Sequence, residues 1–469
     1  MRRVTLTIAG IACFAVGLVA AVKAPQPAAP IAIVDVTIID VERGERRPHQ
    51  TVLVRGNSIE LVGASGSVSV PRGSTVISGA GKFLIPGLWD MHVHLSMAGR
   101  NALPVFLAAG VTGVRDMGGD PIVIRWRDSV ASGVLQGPRI KAAGIIVESA
   151  RWLQMVRNLT RPLNRPGLMQ ELDRRFSVAT AEDAERAADS LAKLGADLVK
   201  IRNFPVASAY FTLVRVAKRH GMRVAGHAPP IGLVGTVSDS GFASLEHTLL
   251  ANANGKLVEG FTQLTPEARR DLLQRLARNG TAWNPTFVSG ASRLVSDTAM
   301  ARLIADTSGN SDPTFRFVPR ALREEWRTQF SMRAVDPDTS TDWGAIERSS
   351  LGVVREVADA GVMLLAGSDL SVPPLVPGFA LLKELEVLVK DAGLTPREAL
   401  AAATLNPATT LGMSDKIGRI APGFLADLVL LDRDPLSDIS ALRDVRAVVA
   451  NGLAYDRETL SRLALSAAK

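Results

Sequence analysis

The sequence predicts an α/β fold, a TIM-type (β/α)8 barrel carrying a small β-sandwich domain formed from both chain ends. Short apolar strands alternate with helix-patterned segments through the middle of the chain, as in a parallel sheet. From Leu84 onward eight such strands can be counted, at 84–94, 111–116, 139–147, 198–202, 223–228, 244–248, 282–288 and 363–369, the number a closed barrel requires. β-Branched, turn-punctuated stretches occur at both ends of the chain, and terminal strands of this kind usually pair in space.

The elements follow in order. Arg2 and Arg3 precede an almost unbroken apolar run from Val4 to Val22, then Ala24 and a Pro/Ala stretch to Pro30. That layout predicts a secretory signal with its linker over 1–30 and an exported, periplasmic or extracellular protein. An uncleaved N-terminal membrane anchor is the alternative, because the apolar run approaches spanning length. The first part of the β-sandwich is expected over 31–85, where Ile31–Asp40 is β-branched and Arg55-Gly56-Asn57-Ser58 reads as a hairpin turn. The barrel occupies 86–415. Three of its helices declare their boundaries: Thr180 with Asp183 opens one that Gly195 ends, Thr265-Pro266 opens another that Gly280 ends, and Thr395-Pro396 with Glu398 opens a third. The long segments 148–178 and 289–345 lack barrel periodicity and follow the third and seventh strands, where loops cover a barrel site. The second sandwich part is expected over 416–460, with strands at Asp427–Leu431 and Val445–Ala450 and an Asn451-Gly452 turn. A C-terminal tail, 461–469, completes the chain.

Composition narrows the chemistry. Hydrophobic residues make up 47% and charged residues 21% of 469, a globular balance with room for one large domain and a smaller one. Cys13 is the only cysteine and lies within the signal, so disulfides and Cys-ligated zinc play no part in the processed protein. Removing residues 1–30 takes away Arg2, Arg3 and Lys23 and no acid, which lowers the formal charge from +8 to +5. The basic residues are dispersed, without the aromatic interleaving of a nucleic-acid surface. The expected partner is a small-molecule amide or peptide substrate and no nucleic acid. A membrane enters only through a retained N-terminal segment, and homo-oligomer formation is left open.

The histidines carry the strongest signal. Of six, four fall at C-terminal ends of expected barrel strands: His92, His94, His227 and His247. His92 and His94 are spaced i, i+2 and share one side of an extended strand, where two imidazoles can bind one metal. Lys200, between Val199 and Ile201, would face the interior. An unpaired ammonium there is costly, so it is either a snorkelling or ion-paired core lysine or an amine that captures carbon dioxide as an anionic carbamate. Asp369 closes the eighth strand. Singly each residue reads as structural; a ring of His, His, Lys, His, His and Asp at five strand ends points to a metal site.

These residues, with Pro86-Gly87-Leu88-Trp89-Asp90-Met91-His92-Val93-His94, Gly110-Val111-Thr112-Gly113-Val114-Arg115-Asp116, Gly226-His227, Glu246-His247, Gly367-Ser368-Asp369, Thr404-Leu405-Asn406-Pro407-Ala408 and the stretch Gly418–Leu428, resemble the amidohydrolase superfamily in its binuclear, carboxylated-lysine branch. Imidazolonepropionase-like and Xaa-Pro dipeptidase-like members belong to that branch. The resemblance spans about 31–455 and implies a hydrolase acting on a C–N bond, amide or peptide-like. It implies two divalent metal ions, expected to be zinc: His92, His94 and Asp369 holding one, His227 and His247 the other. Lys200 as its carbamate and a hydroxide would bridge the pair, with Asp369 as the catalytic proton carrier.

Two departures narrow the class. His227 is followed by Ala228-Pro229-Pro230 with no acid nearby, which argues against a deaminase. Lys200 is followed by Ile201-Arg202-Asn203-Phe204-Pro205, unlike the Met and Gly-Gly turn of the dipeptidase-like relatives. Arg202 is therefore a candidate for binding an anionic substrate group, its planar fork being suited to a carboxylate; the bland alternative is an outward residue paired with an acid. Arg115 and Asp116 are assigned to support of the site. The arginines at 151, 157, 161, 165, 174 and 175 read as solvated surface, and Trp152, Trp283 and Tyr210 are further aromatic candidates for the pocket wall. The alternatives on the same site are an Xaa-Pro-type dipeptidase and a lactonase or phosphotriesterase-like hydrolase. A non-catalytic binding protein would instead have lost ligands.

Overall fold

The computed structural model describes residues 29–161, 166–333 and 340–468. The expected signal therefore lies, except for its last two residues, outside the described residues. Among the described residues no helix is long and apolar enough to cross a membrane.

The central part is α/β with parallel sheets. Leu88–Val93, Val111–Asp116 and Arg139–Ala142 form one sheet. Val147–Ser149, Leu198–Ile201, Arg223–His227, Phe242–Glu246 and Ala282–Asn284 run side by side in a second, with Phe176–Val178 at its edge. Leu198–Ile201 and Phe242–Glu246 are buried at every position, as parallel strands covered on both faces should be.

The third expected strand is interrupted. Its first half pairs in one sheet and its second in the other, with left-handed Gly144 (φ 69°) between them. The seventh stops at Asn284, because Pro285 and a left-handed Thr286 (φ 51°) turn the chain into a helix, Phe287–Ala291. The eighth forms no regular ladder. A Cβ on Gly367 would press on the Asn284 side chain and on Cβ of His92, and the chain passes through this gap irregularly. It still bonds to both neighbours. Leu365 N donates to Trp283 O (2.8 Å), while Met91 N donates to Ala366 O (2.9 Å) and Asp369 N to His92 O (2.8 Å). At the other seam, Asp197 N donates to Ala142 O (2.8 Å), and the Asp197 carboxylate pairs with Arg127 and Lys141.

Around the sheets the helices begin and end where their caps dictate. Thr180 and Asp183 form a reciprocal capping box on Ala181–Leu194, and left-handed Gly195 (φ 79°) closes it. Thr265 caps Pro266–Asn279, ended by Gly280, and Thr395 with Glu398 boxes Pro396–Ala402. The two aperiodic segments hold short helices, among them Ala150–Thr160, Asp297–Ala305 and Arg320–Arg333.

Strands from both chain ends share one eight-stranded mixed sheet. Phe83–Pro86 lies in its middle, parallel to Ile31–Asp40 and antiparallel to Leu428–Leu431. Alternation divides its side chains: Ile31, Ile33, Leu84, Leu428 and Leu430 fill one core, while Ile39, Ile85, Val429 and Leu431 join the core of the central part. The C-terminal residues are not a tail. Asp456 caps a helix, Arg457–Ala467, whose buried stripe of Leu460, Ala464 and Ala467 packs it down.

Strands Leu198–Ile201 and Arg223–His227 approach closely at Gly226 (φ 153°), where a Cβ would overlap the carbonyl of Ile201. Gly226→Ala should therefore force apart the strands carrying Lys200 and His227, costing about 1–3 kcal/mol and lowering metal content. A denaturant midpoint and metal content equal to the parent protein's would contradict this reading of the contact.

Candidate metal centre

The strand ends deliver the expected side chains to one place. His92 is fully buried, Lys200 is 1% exposed, and His94, His227, His247 and Asp369 are partly covered. His92, His247 and Asp369 each bring a donor atom within 4.8 Å of the other two. Asp369 Oδ1 lies 3.5 Å from His92 Nε2 and 3.4 Å from His94 Nε2. Lys200 Nζ stands 3.5 Å from His92 Nε2. Donors bound at ~2.1 Å to one tetrahedral cation stand ~3.4 Å apart, so these spacings suit a shared ion. His227 joins through His247, with ring centroids 4.8 Å apart. All six expected ligand residues are thus brought together.

Three of the imidazoles are anchored through Nδ1. His92 Nδ1 meets Glu246 Oε2 at 2.8 Å, His94 Nδ1 meets Gly118 O at 2.8 Å, and His247 Nδ1 meets Thr286 Oγ1 at 2.8 Å. Each bond leaves Nε2 free, as in metal-binding histidines held by a second hydrogen bond. Among the described residues His227 has no hydrogen-bond partner, so its ring nitrogens have no competing claim.

Glu246 holds the interior together. Its Oε1 accepts from Arg115 Nη2 (2.7 Å) and from Ser244 Oγ, and its Oε2 accepts from Asn284 Nδ2 (3.0 Å). Burial opposes its ionisation, yet the Arg115 pair and the His92 hydrogen bond keep the carboxyl well below the usual carboxylate range. Arg115 also donates to Met91 O (2.7 Å), behind His92. The Asp116 carboxylate accepts from Leu95 N (2.9 Å) and Gly118 N (3.1 Å), fixing the turn around His94. Asp90 accepts from Ser368 N (2.9 Å) and Ser368 Oγ (2.6 Å), tying the first strand to the segment bearing Asp369.

The remaining charges are set by burial and crowding of cations. Burial, reinforced by the Lys200 charge, pushes His92 and His227 well below the ordinary imidazole value, and burial takes His247 down to about 4. Burial lowers Lys200 to about 8, against the opposing pull of Glu246 and Asp369. Asp369 stays ionised well below its ordinary range: burial opposes this, and the surrounding imidazoles outweigh it. The donor set is therefore imidazoles, three of them held neutral, around one carboxylate, which fits divalent cations.

The arm 286–289 was not legible as part of the site. Thr286 holds His247, and Ser289 Oγ donates to Asp369 Oδ2 at 2.8 Å. The arm is gripped from behind by Glu384, whose oxygens accept from Phe287 N (3.0 Å) and Val288 N (2.9 Å). Burial raises Glu384 to about 8 despite those bonds. Glu148 was missed as well: it is fully buried, accepts from Arg175 Nη1 (2.6 Å), and binds Asn203 through both N and Nδ2 (2.8 Å each). Arg175, expected on a solvated face, is consequently 8% exposed. Arg202 lies beside this group with its guanidinium 5.2 Å over Trp152. Trp283 and Tyr210 do not line the site: Trp283 is buried and donates to His247 O, and Tyr210 is buried with its hydroxyl on Ser240.

Glu384→Ala should strip the only side-chain acceptor from two buried N–H groups, costing about 1–3 kcal/mol, and should loosen Ser289 and Thr286 together. Metal affinity by chelator competition should fall with it, and Glu384→Gln, which keeps one acceptor, should restore part of both. Unchanged affinity in a destabilised Ala variant would refute the positioning role. A second expectation concerns acid. With His92 and His227 held below 6.5 when folded, the unfolded chain takes up protons that the folded chain refuses. Metal-free protein should keep its stability above pH 6.5 and lose it as pH falls below; a thermal midpoint flat across that range would contradict this.

Comparison with known proteins identifies the family. Residues 83–454 match the model of the amidohydrolase family. An imidazolonepropionase of Thermoplasma volcanium is 36% identical over 107 residues, which are 22% of this chain and 26% of that protein. The chain thus matches about a quarter of the length of that relative. An adenine deaminase of Rubrobacter xylanophilus is 24% identical over 449 residues, covering 90% of this chain and 58% of its own length. The solved structure of a Xaa-Pro dipeptidase with methionine bound in its active site superposes with a TM-score of 0.65 at 23% identity, covering 91% of this chain and all of that one. Such structural likeness implies a TIM-barrel-like α/β fold. From the family match over most of its length, the chain belongs to the amidohydrolase family.

Proposed function

We propose that this protein is a metal-dependent hydrolase that cleaves the C–N bond of an amide or peptide-like small molecule. The observation that carries the reading is Asp369 Oδ1 set 3.4 and 3.5 Å from two imidazole Nε2 atoms whose Nδ1 atoms are already anchored. In this reading His92, His94 and Asp369 would hold one divalent cation and His227 and His247 a second, and Lys200, as a carbon dioxide-derived carbamate, would supply a further anionic ligand. Zinc is the favoured metal for imidazole and carboxylate donors. Bound cations would polarise the scissile carbonyl and lower the pKa of water.

The chain's own residues then handle the proton. Water oxygen bonds to the carbonyl carbon, Asp369 takes the proton released, and delivers it to the nitrogen as the C–N bond breaks. Ser289, donating to Oδ2, leaves Oδ1 directed at the imidazoles. Glu246 and Arg115 keep His92 oriented, while burial and the Lys200 charge keep it neutral.

The same reading extends to the rest of the molecule. The bonds of segment 363–370 to both neighbouring strands, and of Asp197 to Ala142, support a closed (β/α)8 barrel over 86–415. Its companion is a β-sandwich from 31–85 and 416–460. The basic and apolar N-terminal pattern supports export. Asp369→Asn should lower turnover of amide substrates by about 10^2-fold or more, the scale of a lost acid–base group, while most metal is retained. Metal analysis should give two equivalents per chain. Full turnover by the Asn variant would remove Asp369 from its role, and a metal-free active protein would remove the whole reading.

A further inference from the structure

Arg202 stands apart from the other cations near the site. Arg115 is paired with Glu246, and Arg175 with Glu148 and Glu171. Among the described residues nothing accepts a hydrogen bond from the Arg202 guanidinium. It is partly covered, lies 5.2 Å over the Trp152 ring, and sits close enough to Arg175, Glu148 and Asp369 to feel their charges. Glu148, Glu171 and Asp369 act on it only through space, so its N–H donors, partly open to solvent, remain available to an incoming anion.

The surroundings hold Arg202 in place without neutralising it. Arg202 N donates to Val147 O (3.1 Å), which ties the residue just past strand Leu198–Ile201 to the neighbouring strand Val147–Ser149. Asn203 is fixed by Glu148 through two bonds of 2.8 Å. Trp152, on helix Ala150–Thr160, supplies a flat face for the guanidinium. Arg202 follows Lys200 by two positions, a span of at most about 7 Å along the chain, roughly one amino-acid unit from the Lys200 side of the metal centre. The planar fork matches a carboxylate in two parallel bonds.

We propose that Arg202, held on Trp152 and braced by Glu148 through Asn203, is an anion subsite that selects amides bearing a free carboxylate one unit from the scissile bond, such as N-acyl amino acids and peptides with a free C-terminus. This rests on the C–N hydrolase reading for its chemistry, but the subsite can be tested by binding alone. In the Asp369→Asn protein, whose turnover is expected to be about 10^2-fold or more slower, the dissociation constants of N-benzoylglycine and N-benzoylglycinamide are compared by calorimetry with metal present. The acid should bind about tenfold or more tightly, as expected for a charged hydrogen-bonded pair. Adding Arg202→Ala should erase the preference, Arg202→Lys should retain part of it, and Trp152→Leu should weaken it. Arg202→Gln replaces the Ala variant if that fails to fold.

A preference that survives removal of the guanidinium would assign the anion to the metals and overturn the proposal. Equal binding of acid and amide, or none, in the protein that retains Arg202 would do the same. Turnover of both compounds by the unsubstituted enzyme is scored separately. Its absence alongside a guanidinium-dependent preference would count against C–N hydrolysis of these amides and leave the subsite standing.

Discussion

The buried carboxylate of Glu246 is the constraint on which the interior depends. It is inaccessible to water, and a charge so placed is tolerated only when every lone pair is met. Arg115, Ser244, Asn284 and His92 do this from four different strands. Because Arg115 also reaches the carbonyl behind His92, the first, second, sixth and seventh strands are cross-linked through one ionised group. Such a network fixes a unique arrangement only when fully satisfied, and here the bond that satisfies Glu246 is also the bond that aims His92. Structural compensation and orientation of a metal ligand are the same contact.

Around this centre the chain accumulates bases that lack acids. Four imidazoles and a lysine surround the single Asp369 carboxylate, and burial keeps His92, His227 and His247 neutral. An interior of this kind is poorly balanced by itself: it offers many lone pairs and little negative charge. That asymmetry suits divalent cations and makes the metal part of the electrostatic balance of the fold as well as of its chemistry. The outer parts behave differently. Most of the ion pairs at the surface are solvent-exposed, where each contributes little.

Much of this was legible in the sequence because local chemistry and global fold agree. Thr180, Asp183 and Gly195 mark their helix in both, and the i, i+2 pair of His92 and His94 follows from strand alternation. Alternation fails where the backbone leaves the strand. Glu246 and His247 are adjacent, so a regular strand would send them to opposite faces; left-handed His247 (φ 66°) brings its ring back beside His92. Asp369 (φ 55°) is turned likewise. No periodicity encodes such residues, and backbone strain of this kind concentrates at functional sites. Glu384 and Ser289 were hidden for another reason. Their meaning lies in contacts across 80 to 97 positions of sequence, which no local pattern around either residue marks. An eighth strand was expected at 363–369, where the segment bonds to both neighbours without forming a regular strand, an irregularity that Gly367 permits.

The sheet that joins the two chain ends also bears on how the molecule assembles. Phe83–Pro86 finds one neighbour in Ile31–Asp40 and the other in Leu428–Leu431, more than three hundred residues later. During synthesis the early strands therefore emerge with an edge exposed until nearly the whole polypeptide has been made. Contacts so distant in sequence close slowly, and an unpaired edge invites association with other chains meanwhile. The short strand Thr75–Ser78 pairs with Ile31–Val34 on the same edge of Ile31–Asp40 that Phe83–Pro86 extends, so until Leu428–Leu431 arrives the open edge is carried by Phe83–Pro86 itself.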